Sequence, residues 1–580
     1  MTHGAFNGGM TVILDNIANI VSMTTILIGV FGLPQDFVFD NMVPGTALGI
    51  FFGNAFICYL TFRIARTATV PLSAIPLGLD APTTINLPLL VVGPTYVRMI
   101  SEGMSPSDAA DFAWKVGCAT VVIIAIIKFI LMGISGFLQN SFHEAGKIGA
   151  LVGVAFALLG LNQTFSILSE PVAGLCALSS FLMFAYLFHD EEKTSGIFKH
   201  IARHRVLSSA VLGLAIFYPM AAANGSRLPL PKDPTADWTT TYPHPVNIYS
   251  SVSHGYNCST NMINGAATLM AAAADSVSEV YGTCTVNPGN PFVYSIQNFI
   301  GVSIPFAMLV HIGGLTITTQ AIDNKHEYNL RSILAVDAAS TLLAAMFGGI
   351  SQTTPWIGHP TFVQMKTGKV YGIIAGGFVA VGACVGFLRF LFNILIPPVI
   401  VPIFVGIGID MMRVAFHGTG EKPHQSDARA YSQFTSRLVQ MYDMAPATVL
   451  AMFPSVAQLI NITGGFGSRS DCDPCAGKEC GVIVTFSHGF ITTALLWGSA
   501  FGYALDQQFW KSAGTFVVAA LFAGLGVIHS VDPTGAVYWP WDAPCKDVYQ
   551  WMAAYLALAV LMMLFWVASQ LNARSQGEGQ

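Results

Sequence analysis

The chain has 580 residues, of which 53% are hydrophobic and only 10% charged, with a net charge of −5 and a mean hydropathy of +0.59. A soluble chain carries roughly a quarter charged residues, so an ordinary soluble protein is excluded. Nothing in the charge balance points to a nucleic-acid partner, and the composition is that of an all-α polytopic membrane protein.

A spanning helix needs about 20 apolar residues. In chain order, apolar spans are expected at 11–32, 44–66, 84–100, 112–137, 147–165, 170–188 and 205–222. A polar loop at 223–291 follows. The remaining spans are expected at 293–320, 332–348, 356–366, 371–392, 396–414, 445–461, 483–505, 513–530 and 549–571. The stretch 445–461 is the weakest of these and is also readable as a surface helix, and 84–100 and 356–366 are too short to cross alone. Residues 1–10 lack the basic start of a cleavable signal peptide, so the first span is expected to direct insertion.

Basic residues fix the expected orientation. Arg63, Arg66, Lys193, Lys199, Arg203, Arg205, Lys325, Arg331, Arg413, Lys422, Arg429 and Arg437 all fall on one side. That side is read as cytosolic, with both termini there, in a plasma membrane or another membrane of the secretory pathway. The four N-x-S/T sequons, at Asn162, Asn224, Asn257 and Asn461, fall on the opposite face and are glycosylation candidates. So do Cys258, Cys284, Cys472, Cys475, Cys480 and Cys545. Six cysteines in an oxidising compartment read as disulfides of unassigned connectivity. Cys58, Cys118, Cys176 and Cys384 lie in spans and read as small buried hydrophobes. No metal site and no cofactor is expected.

Two polar, proline-bearing stretches interrupt the apolar pattern: "PLSAIPLGLDAPTTINLPLL" at 71–90 and "GGISQTTPWIGHPTFVQM" at 348–365. Irregular backbone at membrane depth survives only where it is buried in protein or lines a cavity. Matching interruptions in two halves of a chain mark a transporter's central site. Each is expected to be an extended segment, at 74–77 and 350–353, followed by a half-helix. Asp80 or Thr83 is expected to cap the first half-helix. Thr354 is expected to cap the second, with Pro355 in its first turn. The free N–H groups at these helix starts would face a polar solute.

The candidate solute-binding residues are therefore Asp80, Thr83, Thr84, Gln352, Thr353, Thr354, His359, His311 and, on the first span, Asn19, which shares a helical face with Asn16. Ionisable groups inside spans are functional suspects. Asp80, Asp337 and His311 are the candidates for coupling an ion, and Asp337 and Lys128 are expected to pair. His488 and His529 read as structural. No nucleophile elbow, metal-binding helix motif or phosphate-binding glycine loop is present, so no enzymatic activity is expected.

"HIGGLTITTQAI" at 311–322 and "DAASTLLAAMFGGISQTTPWIG" at 337–358 resemble the xanthine/uracil permease family, also called nucleobase–cation symporters or nucleobase–ascorbate transporters. "LDNIANIVSMTTILIGVFGLP" at 14–34 fits its first span loosely. The resemblance implies seven-plus-seven inverted repeats, short strands and half-helices in spans 3 and 10, and a core domain that moves against a gate domain. It divides the chain into a first repeat at 1–222, the loop at 223–291, a second repeat at 292–505, and two additional spans with a short tail at 506–580. Homodimers are common in resembling families. The family's glutamates fall here at Val310 and near Ile357, and its eighth-span histidine at Gly314.

These readings lead to a secondary active transporter, coupled to H⁺ or Na⁺, for a nucleobase-like or related small polar solute. An anion transporter of the same architecture, carrying bicarbonate or sulfate, is the alternative. A receptor or scaffold would have no use for two aligned breaks.

Overall fold

The computed structural model describes residues 3–68, 70–136, 141–184, 205–226, 243, 245–248, 254–259, 281–286, 289–323, 326, 328–356, 359–417, 428–466, 472–476, 478–533 and 535–577. The protein is an integral, multi-pass helical membrane protein. Among the described residues, seven helical stretches are long and apolar enough to cross a bilayer alone: Gly4–Val30, Gln35–Ile64, Pro106–Gly133, Ala145–Ser169, Pro291–Gly314, Ala445–Gly464 and Asp547–Leu571. The ambiguous 445–461 stretch is thus part of a long helix rather than a surface element. Two expected straight spans are instead bent pairs, by 85° between Tyr371–Cys384 and Phe387–Ile394 and by 82° between Glu479–Ser487 and Phe490–Leu505. Both bends sit at a glycine with positive φ, Gly386 and Gly489, a conformation glycine enters without steric cost.

The elements that build the centre are α1 (His3–Thr25), α2 (Val43–Ile64), β1 (Leu77–Leu79), α3 (Ala81–Leu87) and α4 (Pro106–Gly133) from the first half. Their counterparts are α5 (Pro291–Asp323), α6 (Leu330–Met346), β2 (Thr353–Pro355), α7 (His359–Gln364) and α8 (Tyr371–Cys384) from the second. Helix α3 continues to Ser101 through a π-helical turn at Pro88–Val92, where Pro88 supplies no N–H. Strands β1 and β2 pair antiparallel, with Leu77 opposite Pro355, Gly78 opposite Thr354 and Leu79 opposite Thr353. Antiparallel pairing of the two interrupted segments agrees with the inverted-repeat expectation. Helix α2 packs on α6 and α8, and α4 packs on α5 and α6. The centre is therefore woven from both halves.

The two extended segments lie later than expected. They centre on 77–79 and 353–355 rather than 74–77 and 350–353, because Pro76 O and Gln352 O accept from Trp356 N and Asp80 N and set the register. Thr354 and Pro355 accordingly lie in β2. Thr354 is not the cap, and the second half-helix starts at His359.

A second bundle forms beside this one. Helix Glu144–Val154 packs on Ala428–Gly464 and Phe490–Leu505. Gly146, Gly149 and Gly153 line its contact, and a Cβ at each would stand within 2.7 Å of Leu495 O, the Ala451 side chain or Ser455 Oγ. Small residues let helices approach closely where no solvent drives them together. The last helices, Phe509–Gly524 and Asp547–Gly577, form their own apolar cluster with Phe490–Leu505. Trp497 Nε1 donates to Tyr555 OH at 2.7 Å and His529 Nε2 meets it at 2.6 Å.

Disulfide Cys475–Cys545 staples the loop before Glu479 to the start of the last helix, and Cys472–Cys480 closes that loop onto the first turn of the helix Glu479–Ser487. The side chains of Cys258 and Cys284, on the paired strands His254–Ser259 and Tyr281–Val286, lie outside the described residues, as does that of Asn257. The Cys475–Cys545 bond closes a 70-residue loop, a length at which a cross-link contributes about 4 kcal/mol by loop entropy. Cys545→Ser should lower the thermal midpoint of the purified protein by several degrees. An unchanged midpoint would mean the last helix is held by packing alone.

Among the other sequons, Asn224 is exposed, and Asn162 opens the helical stretch Asn162–Ser169 within a span. Asn461 is buried, and its amide donates to Ser487 Oγ at 2.9 Å. Attaching a glycan there would break that contact.

Candidate functional site

A two-stranded ribbon has two outer edges. In a membrane interior, every N–H and C=O on those edges needs a partner from the protein. Here side chains from neighbouring spans supply them. On the β1 edge, Asn54 of α2 accepts from Leu77 N at 3.1 Å and donates to Leu77 O at 2.7 Å. Asn16 of α1 accepts from Leu79 N at 2.8 Å. On the β2 edge, Thr341 of α6 accepts from Thr353 N at 3.3 Å, and Lys128 of α4 donates to Thr353 O at 2.9 Å. All four side chains are buried.

Lys128 also donates to Thr341 Oγ1 at 3.0 Å and forms an ion pair with Asp337 at 2.8 Å. The three N–H bonds of its ammonium group thus have three acceptors. The expected Lys128–Asp337 pairing is present, and it serves as an edge support for β2.

Asp80 follows β1 and caps α3. Its Oδ2 accepts from Thr83 N at 3.1 Å and contacts the Thr83 hydroxyl. The Thr84 hydroxyl donates to Asp80 O at 2.7 Å and meets Ser351 Oγ at 2.6 Å, tying the first broken element to the second. Gln352 completes the link. Its Nε2 reaches Asp80 Oδ2 at 3.3 Å and Phe306 O of α5 at 3.2 Å, while its Oε1 has no partner among the described residues.

The second break begins at Gly348, whose φ of +97° is open to glycine. A Cβ there would stand 2.5 Å from Asn41 O. Trp114 Nε1 donates to Gly348 O at 2.9 Å.

The structure brings Asp80, Thr83, Thr84, Gln352, Thr353 and Asp337 into one buried polar cluster. Thr353 is engaged structurally, with its hydroxyl 2.7 Å from Ser340 Oγ and 3.1 Å from Thr341 Oγ1. Thr354 contacts Pro355 O. His359 stands at the start of α7, but its Nε2 is 3.1 Å from His326 Nδ1, so that nitrogen faces a second histidine. His311 of α5 is buried, and its Nε2 has no partner among the described residues. Asn19 donates to Asp15 O at 3.0 Å, one turn back on α1. Val310 is buried, and Ile357 lies outside the described residues.

Sequence reading passed over Asn54, Ser340, Thr341, Ser351, His326, Asp15 and Asn86. Each is a polar residue in or beside an apolar span, and that was the available signal. Which of them meet the strands is a matter of helix packing.

No family model and no curated protein matches the chain. Solved structures similar to it include SLC26A9, at 11% identity and a TM-score of 0.47, covering 87% of this chain and 65% of that one. The chain therefore spans less than two-thirds of the length of SLC26A9. The transmembrane domain of a cyanobacterium bicarbonate transporter, BicA, is similar at 14% identity and a TM-score of 0.40, covering 78% of this chain and 97% of that domain.

Proposed function

We propose that the protein is a secondary active transporter that carries a small polar solute by alternating access. The observation behind this is the crossing of β1 and β2. Two broken elements, one from each half of the chain, pair antiparallel in the bundle interior, and an interior crossing of this kind is where transporters of inverted-repeat design bind solute. Gln352 is the residue we assign to the solute: it lies at the crossing, spans both elements, and keeps a carbonyl acceptor with no partner among the described residues.

The solute class follows from what the site lacks. A buried acceptor without a donor is costly, and an N–H-bearing solute would satisfy it. Two carboxylates, Asp80 and Asp337, surround one buried lysine, and that balance disfavours an added anion. A nucleobase-like uncharged solute, with N–H donors and carbonyl acceptors, is therefore the first reading.

A small oxyanion such as bicarbonate or sulfate is the second, and Lys128 together with the α3 helix start favours it. BicA is by its name a bicarbonate transporter; at its level of similarity it bears on fold alone.

Uptake of labelled uracil, xanthine, bicarbonate and sulfate into vesicles, with and without H⁺ and Na⁺ gradients, separates the readings. Saturable nucleobase uptake is expected, with Gln352→Ala raising KM about tenfold, the effect of one hydrogen bond of about 1.5 kcal/mol. Oxyanion flux without nucleobase flux would favour the second reading. Absence of both would remove the transport assignment.

A further inference from the structure

At the end of the molecule that carries the disulfides, three segments enclose an open cleft of about 280 Å³. Pro474 comes from the loop before Glu479, Val482 and Thr485 from the helix Glu479–Ser487, and Asp547, Gln550 and Trp551 from the first turns of the last helix. None of these residues belongs to the crossing of β1 and β2, so the cleft stands whether or not that crossing carries a solute.

The walls are fixed in advance. Cys475, next to Pro474, is bonded to Cys545, two residues before Asp547, and Cys472 is bonded to Cys480, two residues before Val482. The Trp551 ring lies nearly parallel to that of His529, with 4.1 Å between centroids. The Thr485 hydroxyl is engaged by Gly481 O at 2.9 Å. Walls ordered before binding reduce the entropy lost on binding.

The charge is one-sided. Asp547 is the one charged residue in the lining, and no basic side chain pairs with it among the described residues. Its Oδ1 is met by a neutral donor, Gln550 Nε2, at 3.4 Å. In the stretches that form the walls, 472–487 and 530–551, five acidic residues stand against two lysines, Lys478 and Lys546. The cleft therefore suits a cation. A hard metal ion takes six or more oxygen ligands, and this lining holds a single carboxylate. A primary ammonium brings three N–H donors that need acceptors, whereas Pro474, Val482 and Trp551 offer apolar and aromatic surface. A quaternary ammonium has no N–H to satisfy, and a carboxylate with an indole suits it.

The position adds a source. Asp547 opens a helix apolar enough to cross a bilayer. Just before it and within its first turn, Trp539, Trp541 and Tyr549 are 59%, 72% and 49% exposed. Exposed Trp and Tyr gather at headgroup level. Tyr549 OH donates to Pro540 O at 3.0 Å and holds this aromatic segment at the helix start.

We propose that this cleft binds a quaternary ammonium group, with Asp547 as its counter-charge and Trp551 as its aromatic wall. Choline presents that group, either free or as the headgroup of phosphatidylcholine.

The first arm of the test is the thermal midpoint of the purified full-length protein in maltoside detergent, titrated with choline chloride against NaCl at constant ionic strength. A saturable upward shift with choline and none with Na⁺ is expected. Asp547→Asn should raise the half-saturating choline concentration at least tenfold. Val482→Lys should do the same: Val482 is 54% exposed, which leaves room for the longer side chain, and the new ammonium would compete for Asp547. A merely structural Asp547 would instead lower the choline-free midpoint and leave half-saturation unchanged.

In the second arm the protein is reconstituted in equal parts phosphatidylcholine, phosphatidylethanolamine and phosphatidylglycerol, extracted again, and its retained lipid read by native mass spectrometry. Preferential retention of phosphatidylcholine, lost in both variants, supports the site and assigns it to a lipid headgroup. A response to free choline without lipid preference supports it as a site for a soluble ligand. The site is overturned if neither arm responds, if phosphatidylethanolamine or phosphatidylglycerol is retained in preference, or if both variants keep the wild-type behaviour.

Discussion

Lys128→Met should nearly abolish folded protein. The lysine holds Asp337, Thr341 and the Thr353 carbonyl at 2.8–3.0 Å, and all are buried. Removing one partner of a buried pair leaves an uncompensated charge, at a cost of about 3–5 kcal/mol, a large part of typical net stability. Lys128→Met/Asp337→Asn removes both charges and should recover much of the monodisperse yield in size-exclusion chromatography. Recovery should be incomplete, because the Thr353 carbonyl still lacks its donor. Uptake should stay low in the double variant, since β2 has lost its outer support. Wild-type yield and thermal midpoint for Lys128→Met alone would sink this account of the pair.

Asn54→Ala should be nearly as damaging, through neutral groups. It strands both the N–H and the C=O of Leu77 on the outer edge of β1, at about 1–3 kcal/mol for each buried unpaired group. Asn16→Ala strands the Leu79 N–H and should cost about half as much. Gly372→Ala offers an independent check, because its Cβ would stand 2.5 Å from Asn54 Oδ1 and press the amide away from β1. Thermal midpoints should fall in the order wild type, Asn16→Ala, Asn54→Ala. Equal midpoints for the two asparagine variants would show that edge satisfaction is not what they provide.

Much of the framework was legible in the chain itself. Apolar run length marked most of the spans, since hydrocarbon thickness sets that length directly. Pro71, Pro76 and the 348–365 stretch marked both breaks, since proline and glycine are read locally. The Asp80 cap was legible for the same reason: a cap contacts an amide only three residues on.

Where a contact joins distant residues, local reading failed. Thr354 has the chemistry of a helix cap, but strand pairing with Gly78 decides its place. His359 meets His326 through its Nε2, a contact that its neighbours in sequence do not announce. Asn461 satisfies a sequon, but Ser487 holds its amide in the bundle.

The sequence alone determined that the protein lives in a membrane, where its helices run, and where the backbone breaks. All of these depend on hydropathy and on dihedral preference over a few neighbouring residues. Only the tertiary structure decided which side chains close the edges of β1 and β2, that Lys128 is one of them, and that Asp15 meets no basic side chain among the described residues. Those are matters of which helix faces which, and in a membrane that is set by packing and by the need to pair every buried polar group.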